Sequence, residues 1–196
     1  MSISYSLGML VADNFKNQGF GSLDANELAA GITDMLAGQP KIPVETAAKI
    51  YEDHAQEMGA KQFEQKLAQG QMFMMENEKR AGITTTATGL QYEILQVGTG
   101  SKPKATDKVL THYHGTLLDG TVFDSSVRRG EPIEFGVNQV ISGWTEALQL
   151  MPCGSKWRLF IPFDLAYGER GAGQSIGPYE NLIFEVELIA VNGIRS

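Results

Sequence analysis

The run Phe123-Asp124-Ser125-Ser126 is where this chain could first do chemistry, and the residue types around it restrict what that chemistry is. Taken alone, Asp124 fits a turn or a cap, and Ser125 a capping hydroxyl. A serine nucleophile is not expected, because the chain has no Gly-x-Ser-x-Gly elbow. Cys153 lies in the turn-like run Met151-Pro152-Cys153-Gly154 with no histidine close by to lower its pKa, so it reads as a buried structural thiol. His54, His112 and His114 lack a set of further ligands, and neither a metal nor a cofactor is expected. The glycine-rich stretch from Gly168 to Gly177 lacks the Gly-Lys-Ser/Thr ending of a phosphate loop and reads as a mobile pocket flap. What remains is poor in general acids and bases and rich in aromatic rings. Aromatic residues in strands mostly form core, and Phe135, Trp157 and Phe160 are assigned there.

The bulk composition narrows the partners. Sixteen Lys and Arg against 23 Asp and Glu give a net charge of −7, which disfavours nucleic acid, since phosphate binding needs a basic surface. The single cysteine implies no oxidising compartment. Residues 1–20 have no basic leader pattern, and no apolar run approaches the roughly 18 residues of a membrane span. A cytoplasmic protein that engages neither membrane nor nucleic acid is the expectation.

Two halves of different periodicity must position these residues. Ile3, Leu7, Leu10, Val11 and Phe15 recur at helical spacing, and Gly19 and Gly21 break the pattern. Asp24 and Glu27 have the spacing of a capping box ahead of Leu28, Ile32, Met35 and Leu36, and Gly38 and Pro40 end that helix. From Pro43 no proline interrupts the chain until Pro103, and Val44, Ala48, Tyr51, Ala55, Met58, Phe63, Leu67 and Met72 form a stripe. Glu45/Lys49, Glu57/Lys61 and Glu76/Arg80 could pair across one helical turn, and Gly59 and Gly70 are candidate bends. Two short helices cannot cover so long a stripe, so a homodimer through residues 1–60 is expected. After Gly82 the period becomes two. Strands are expected around Leu90–Ile94, Val109–Tyr113, Ile133–Phe135, Trp157–Ile161 and Leu182–Leu188, with an Asp119-Gly120 hairpin turn and one helix from Gly143 to Leu150. The fold class is α+β: an all-helical region 1–42, a long linking helix 43–83, and a domain 84–196 whose antiparallel sheet wraps one short helix.

Five ordered motifs carry a family likeness: His112-Tyr113-His114-Gly115-Thr116-Leu117, the run Asp119 to Ser126, Val140-Ile141-Ser142-Gly143-Trp144, Ala166-Tyr167-Gly168, and Leu182 to Leu188. In these the chain resembles the FKBP family, the macrolide-binding peptidyl-prolyl isomerases, and its helical half resembles the two-domain, Mip-like bacterial branch. The resemblance implies an antiparallel half-barrel around a short helix. Its pocket would be lined by Tyr113, Phe123, Asp124, Val140, Ile141, Trp144, Tyr167 and Phe184. Trp144 would be the floor, and the Tyr167 hydroxyl and Ile141 N–H would bind ligand carbonyls. Asp124 would face the twisting amide, with Tyr113 and Arg129 as its partners. Ile133, where the family often has a Phe, and Ile176 would complete the binding wall, with Ala172 and Ser175 departing from the bulkier family pattern. Implied partners are proline-containing unfolded or partly folded clients, with tacrolimus and rapamycin as inhibitors. Prolyl isomerisation suits such residues, because rotation about the amide needs neither a nucleophile nor a proton donor.

Overall fold

The structure, a computed structural model, describes residues 2–18, 20 and 22–195. The chain divides into two compact units, Met1–Gln62 and Phe63–Ser196. In the first, α1 (Ile3–Asn17) is capped by Ser2, and α2 (Ala25–Leu36) by Asp24, whose carboxylate accepts from Asn26 N at 2.7 Å and Glu27 N at 3.2 Å. The expected break at Gly19 and Gly21 lies outside the described residues. The apolar residues of this unit stay largely open to solvent: Ile3 is 77% exposed, Leu10 70% and Leu36 85%, and α2 buries no residue. Phe20 stacks on Tyr51 at 5.5 Å and meets Phe15 edge-on at 5.9 Å.

Helix α3 (Val44–Glu78) is 35 residues long, about 52 Å at 1.5 Å per residue. It runs through Gly59 and Gly70 as one helix, not as segments broken at the glycines. Of the three expected acid–base pairs, only Glu57–Lys61 closes among the described residues, at 2.8 Å. Arg80 lies beyond the helix end and binds Asn77 at 2.7 Å and Glu93 at 3.8 Å instead of Glu76.

In the second unit, α3 buries a face through Gly70 and Asn77, with Phe63, Leu67 and Met74 half-buried along it. Asn77 donates to Gln91 Oε1 at 2.8 Å, and Gln91 donates to the Met74 carbonyl at 2.9 Å. Gly70 has a packing role: a Cβ there would lie 2.8 Å from Asn181 Nδ2. Met72, expected on the apolar stripe, is 59% exposed, because the buried face passes through a glycine and an asparagine that no hydropathy pattern marks.

Eight antiparallel strands follow: β1 (Ile83–Thr85), β2 (Gln91–Gln96), β3 (Lys108–Leu117), β4 (Val122–Ser125), β5 (Ile133–Gly136), β6 (Lys156–Ile161), β7 (Leu182–Val191) and β8 (Ile194–Arg195). Their order is β1-β2-β6-β7-β3-β4, with β5 beside β3 and β8 beside β7. Alternation buries Val109, Thr111 and Tyr113 of β3 and Leu182, Phe184, Val186 and Leu188 of β7 on one face. Against that face sits α5 (Ser142–Leu150), whose Trp144, Ala147 and Leu148 join one core with Leu159, Ile161 and Met151. Trp157 and Phe160, assigned to the core, are each 3% exposed, and Cys153 is 2% exposed with its thiol 3.4 Å from the Ile189 carbonyl. The hairpin turn forms at Asp119-Gly120, where Gly120 takes φ +87° and Asp119 accepts from Thr121 N at 2.8 Å. The α+β class holds. Elements of two to four residues, β1, β8 and the one-turn α4 (Ser126–Arg129), were absent from the sequence reading because they are too short to show a period.

Leu159 is fully buried on β6, an inner strand of the sheet. Leu159→Ala should destabilise this unit by about 2–5 kcal/mol through lost burial and the cavity left behind. A lowered urea midpoint, followed by tryptophan fluorescence, reads the loss.

Candidate active site

A cavity of about 670 Å³ is lined by residues of β3, β4, β5, β7 and α5 and of two connecting segments. Tyr113 comes from β3, Phe123 and Asp124 from β4, Phe135 from β5, Trp144 from α5 and Phe184 from β7. The connection ahead of α5 adds Gln139, Val140 and Ile141, and the segment after the turn at Phe163–Leu165 adds Tyr167, Ala172, Gly173, Ser175 and Ile176.

The sheet register brings the rings together. Gly115 of β3 stands opposite Phe184 of β7 and Asp124 of β4. A Cβ at Gly115 would lie 2.7 Å from Phe123 and 2.8 Å from Phe184, so the bare backbone is what lets both rings in. Trp144, 3% exposed, is the hub. Its ring meets Phe184 at 5.2 Å, Tyr113 at 5.4 Å and Phe135 at 5.8 Å, and Phe123 meets Phe184 at 5.3 Å. All four contacts are edge-to-face, the arrangement that suits the ring quadrupoles.

One carboxylate is set into these walls. The Tyr113 hydroxyl donates to Asp124 Oδ2 at 2.5 Å, Ser125 N donates to Oδ1 at 2.8 Å, and the Arg129 guanidinium donates to Oδ1. Arg129 also donates to the Tyr113 hydroxyl at 2.8 Å. The short helix α4 delivers this arginine. Ser125 caps it through Arg128 N at 3.2 Å, and Gly130 ends it at φ +79°. Partial burial pushes the Asp124 carboxyl up, but the hydrogen bonds from Tyr113 and Arg129 outweigh it and hold the pKa below the ordinary value. Burial, and then the bond to Asp124, raise Tyr113. Tyr167, 41% exposed, is raised by burial and by the Asp124 charge. The site therefore offers a fixed negative charge, two neutral phenols and apolar walls, with no group that titrates near neutrality.

Nine of the eleven expected residues line this cavity. Arg129 stands behind Asp124, outside the lining, and Ile133 does not line the cavity. Phe135, on the same face of β5, does so in its stead, and its assignment to the plain core is corrected: it packs on the core and also faces the cavity. Gln139 was not foreseen, since a glutamine in a turn carries no pattern. The glycine-rich segment is closed on itself by paired bonds between Ala172 and Ile176, N to O at 2.9 and 3.2 Å.

Comparison with known proteins agrees with the fold. Residues 99–189 match the family described as "FKBP-type peptidyl-prolyl cis-trans isomerase", and residues 1–94 match "Domain amino terminal to FKBP-type peptidyl-prolyl isomerase". The chain is 47% identical over 192 residues to the FKBP-type 22 kDa peptidyl-prolyl cis-trans isomerase of Escherichia coli, covering 96% of this chain and 93% of that protein. It is 46% identical over 197 residues to the outer membrane protein MIP of Legionella longbeachae, covering 96% and 84%. Among solved structures it resembles FkpA from Escherichia coli with a TM-score of 0.81 at 35% identity, covering 96% of this chain and 92% of that one. No described helix is long and apolar enough to cross a membrane. The cytoplasmic expectation gains no support from these relatives, one of which is named for the outer membrane.

A carboxyl with a lowered folded pKa adds stability above its unfolded pKa, and that stability is lost as pH falls through the folded value. Asp124→Asn should therefore lose less stability than the unmodified chain between about pH 5 and pH 3. Urea midpoints at several pH values measure this, and equal acid sensitivity in both proteins would remove Asp124 from the linkage.

Proposed function

Because the chain belongs to the family of FKBP-type peptidyl-prolyl cis-trans isomerases, we propose that it turns X-Pro bonds in the pocket over Trp144 by taking the prolyl amide out of water. The observation that carries this is a single carboxylate held ionised inside an edge-to-face aromatic wall. Rotation about a peptide bond faces a barrier of about 18–20 kcal/mol, which comes from amide resonance. The planar amide is charge-separated and well solvated, whereas the twisted amide carries less charge on oxygen. A dry site therefore favours the twisted form relative to the planar one. In this reading Trp144 supports the proline ring, and Tyr113, Phe123, Phe135, Ile176 and Phe184 enclose it. The Ile141 N–H has no acceptor among the described residues and, with the Tyr167 hydroxyl, takes substrate carbonyls. Asp124 faces the twisting amide, its charge fixed by Tyr113 and Arg129. Tacrolimus and rapamycin are expected to compete for the same pocket.

A protease-coupled assay with an Ala-Leu-Pro-type peptide tests the assignment. Asp124→Ala and Phe184→Ala should each lower kcat/KM by about tenfold or more. The unmodified chain should show a flat profile from about pH 6 to 9, since no group in the site titrates there. A bell-shaped profile, or full activity in Asp124→Ala, would overturn the proposed roles.

A second reading concerns the helical half. The open apolar residues of α1 and α2 support a homodimer formed through residues 1–42 and the first part of a linking helix 43–83, with the isomerase domain at 84–196. Two linked sites retain a long, partly folded client better than one, so a chaperone-like contribution follows. Light scattering should give a dimer for the whole chain and a monomer after removal of residues 1–60. That monomer should keep its turnover of short peptides and refold a proline-limited protein more slowly. Equal refolding by both forms would exclude the retention role.

A further inference from the structure

The pocket wall between Tyr167 and Ile176 is rooted on α3. Phe63 of the helix packs against the Tyr179 ring, with centroids 3.9 Å apart, and Phe163 also meets Tyr179, edge-on at 5.4 Å. Lys66, one turn further along α3, is ion-paired with Glu180. Gly70, one turn beyond, lies against the Asn181 side chain, whose Oδ1 accepts from Phe163 N at 2.9 Å. Three successive turns of one helix thus touch three successive residues, Tyr179, Glu180 and Asn181.

Those three residues are the return leg of the flap. Tyr179 sits at φ +60°, a left-handed conformation that a bulky side chain adopts only when its surroundings hold it there. The two flanking rings supply that hold, and Tyr179 N donates to the Gly168 carbonyl at 3.0 Å, tying the end of the flap to its start. Lys66 Nζ also reaches Gly177, where a Cβ would lie 3.0 Å from it. Between these anchors lie Ala172, Gly173, Ser175 and Ile176, all four facing the cavity.

We propose that Phe63 and Lys66 are positioning residues of the isomerase: gripping Tyr179 and Glu180, they fix the flap wall that the substrate meets. They lie far along the chain from the five pocket motifs, on a helix whose C-terminal half packs on the sheet domain. Loosening the grip leaves Asp124, Tyr113 and Trp144 untouched on β4, β3 and α5, so it acts on substrate binding and spares the turnover step. The proposal rests on the isomerase reading of the pocket.

The test is a charge swap in the full chain, read by peptide kinetics and by hydrogen exchange of the amides of residues 168–177. Lys66→Glu and Glu180→Lys should each raise KM about twofold to fivefold with kcat unchanged, as fits an ion pair between partly exposed groups. Each should also speed exchange in the flap. The double swap, with the pair restored in reverse, should return both readouts to those of the unmodified chain. Phe63→Ala should raise KM by up to about tenfold through loss of the ring contact. Unchanged KM and exchange in the single swaps, or no rescue in the double, would overturn the positioning role. Exchange reads the grip without turnover, so a chain that isomerised nothing yet showed the swap pattern would sink the isomerase reading and leave the grip standing.

Discussion

A carboxylate placed among aromatic rings must be compensated, and the rest of the catalytic unit is organised around compensating Asp124. Burial alone would favour the protonated acid. Two donors prevent this, the Tyr113 hydroxyl and the Arg129 guanidinium, and Arg129 donates to the Tyr113 hydroxyl as well, closing a three-membered network. Tyr113 is fixed by the longest strand pairing in the sheet, and Arg129 by a one-turn helix with its own cap and its own left-handed glycine. The charge is thus delivered at one position and one orientation, with both partners ordered before a substrate arrives. Preorganisation of this kind is what lets a group interact more strongly with a twisted amide than with a planar one.

The apolar side of the pocket obeys a different constraint, which is space. Strands β3 and β7 pair along their length, so any residue opposite Phe184 competes with that ring for room. Gly115 removes the competition, and Phe123 enters from β4 into the same gap. The ring of Trp144 then closes the floor from below. Its indole N–H is buried without an acceptor among the described residues, and its ring supplies the apolar area of the floor.

How much of this could be read before the structure depends on the scale of each feature. The strands through Tyr113 and Phe184, the helix holding Trp144 and the Asp119-Gly120 turn all have periods or turn chemistry that span four or more residues. The five motifs then assigned the pocket. What escaped was local or tertiary. Phe135 looked like any core aromatic, because alternation tells which face a residue takes and not whether that face borders a cavity. Gln139 lies in a turn without a pattern. The buried face of α3 escaped because it passes through Gly70 and Asn77, chosen for close approach and for a hydrogen bond to Gln91, and neither registers as apolar. Met72, which does register, turned out to be exposed.

The same difference separates the two ends of α3. Toward its start the helix belongs to a unit with few buried side chains, where Ile3, Leu10 and Leu36 stand open. From Phe63 onward it is a packed component of the catalytic unit, carrying an internal hydrogen-bond relay from Asn77 through Gln91 back to its own Met74 carbonyl. A helix held this way cannot slide by a residue without breaking that relay, so its register against Tyr179, Glu180 and Asn181 is set. The left-handed backbone at Tyr179 then has a physical origin: a ring packed against both Phe63 and Phe163 leaves its own main chain little choice. The flap is short of side-chain bulk and rich in glycine, so its order comes from the paired Ala172–Ile176 bonds within it, from the Gly168–Tyr179 bond that joins its ends, and from the helix that holds its return leg.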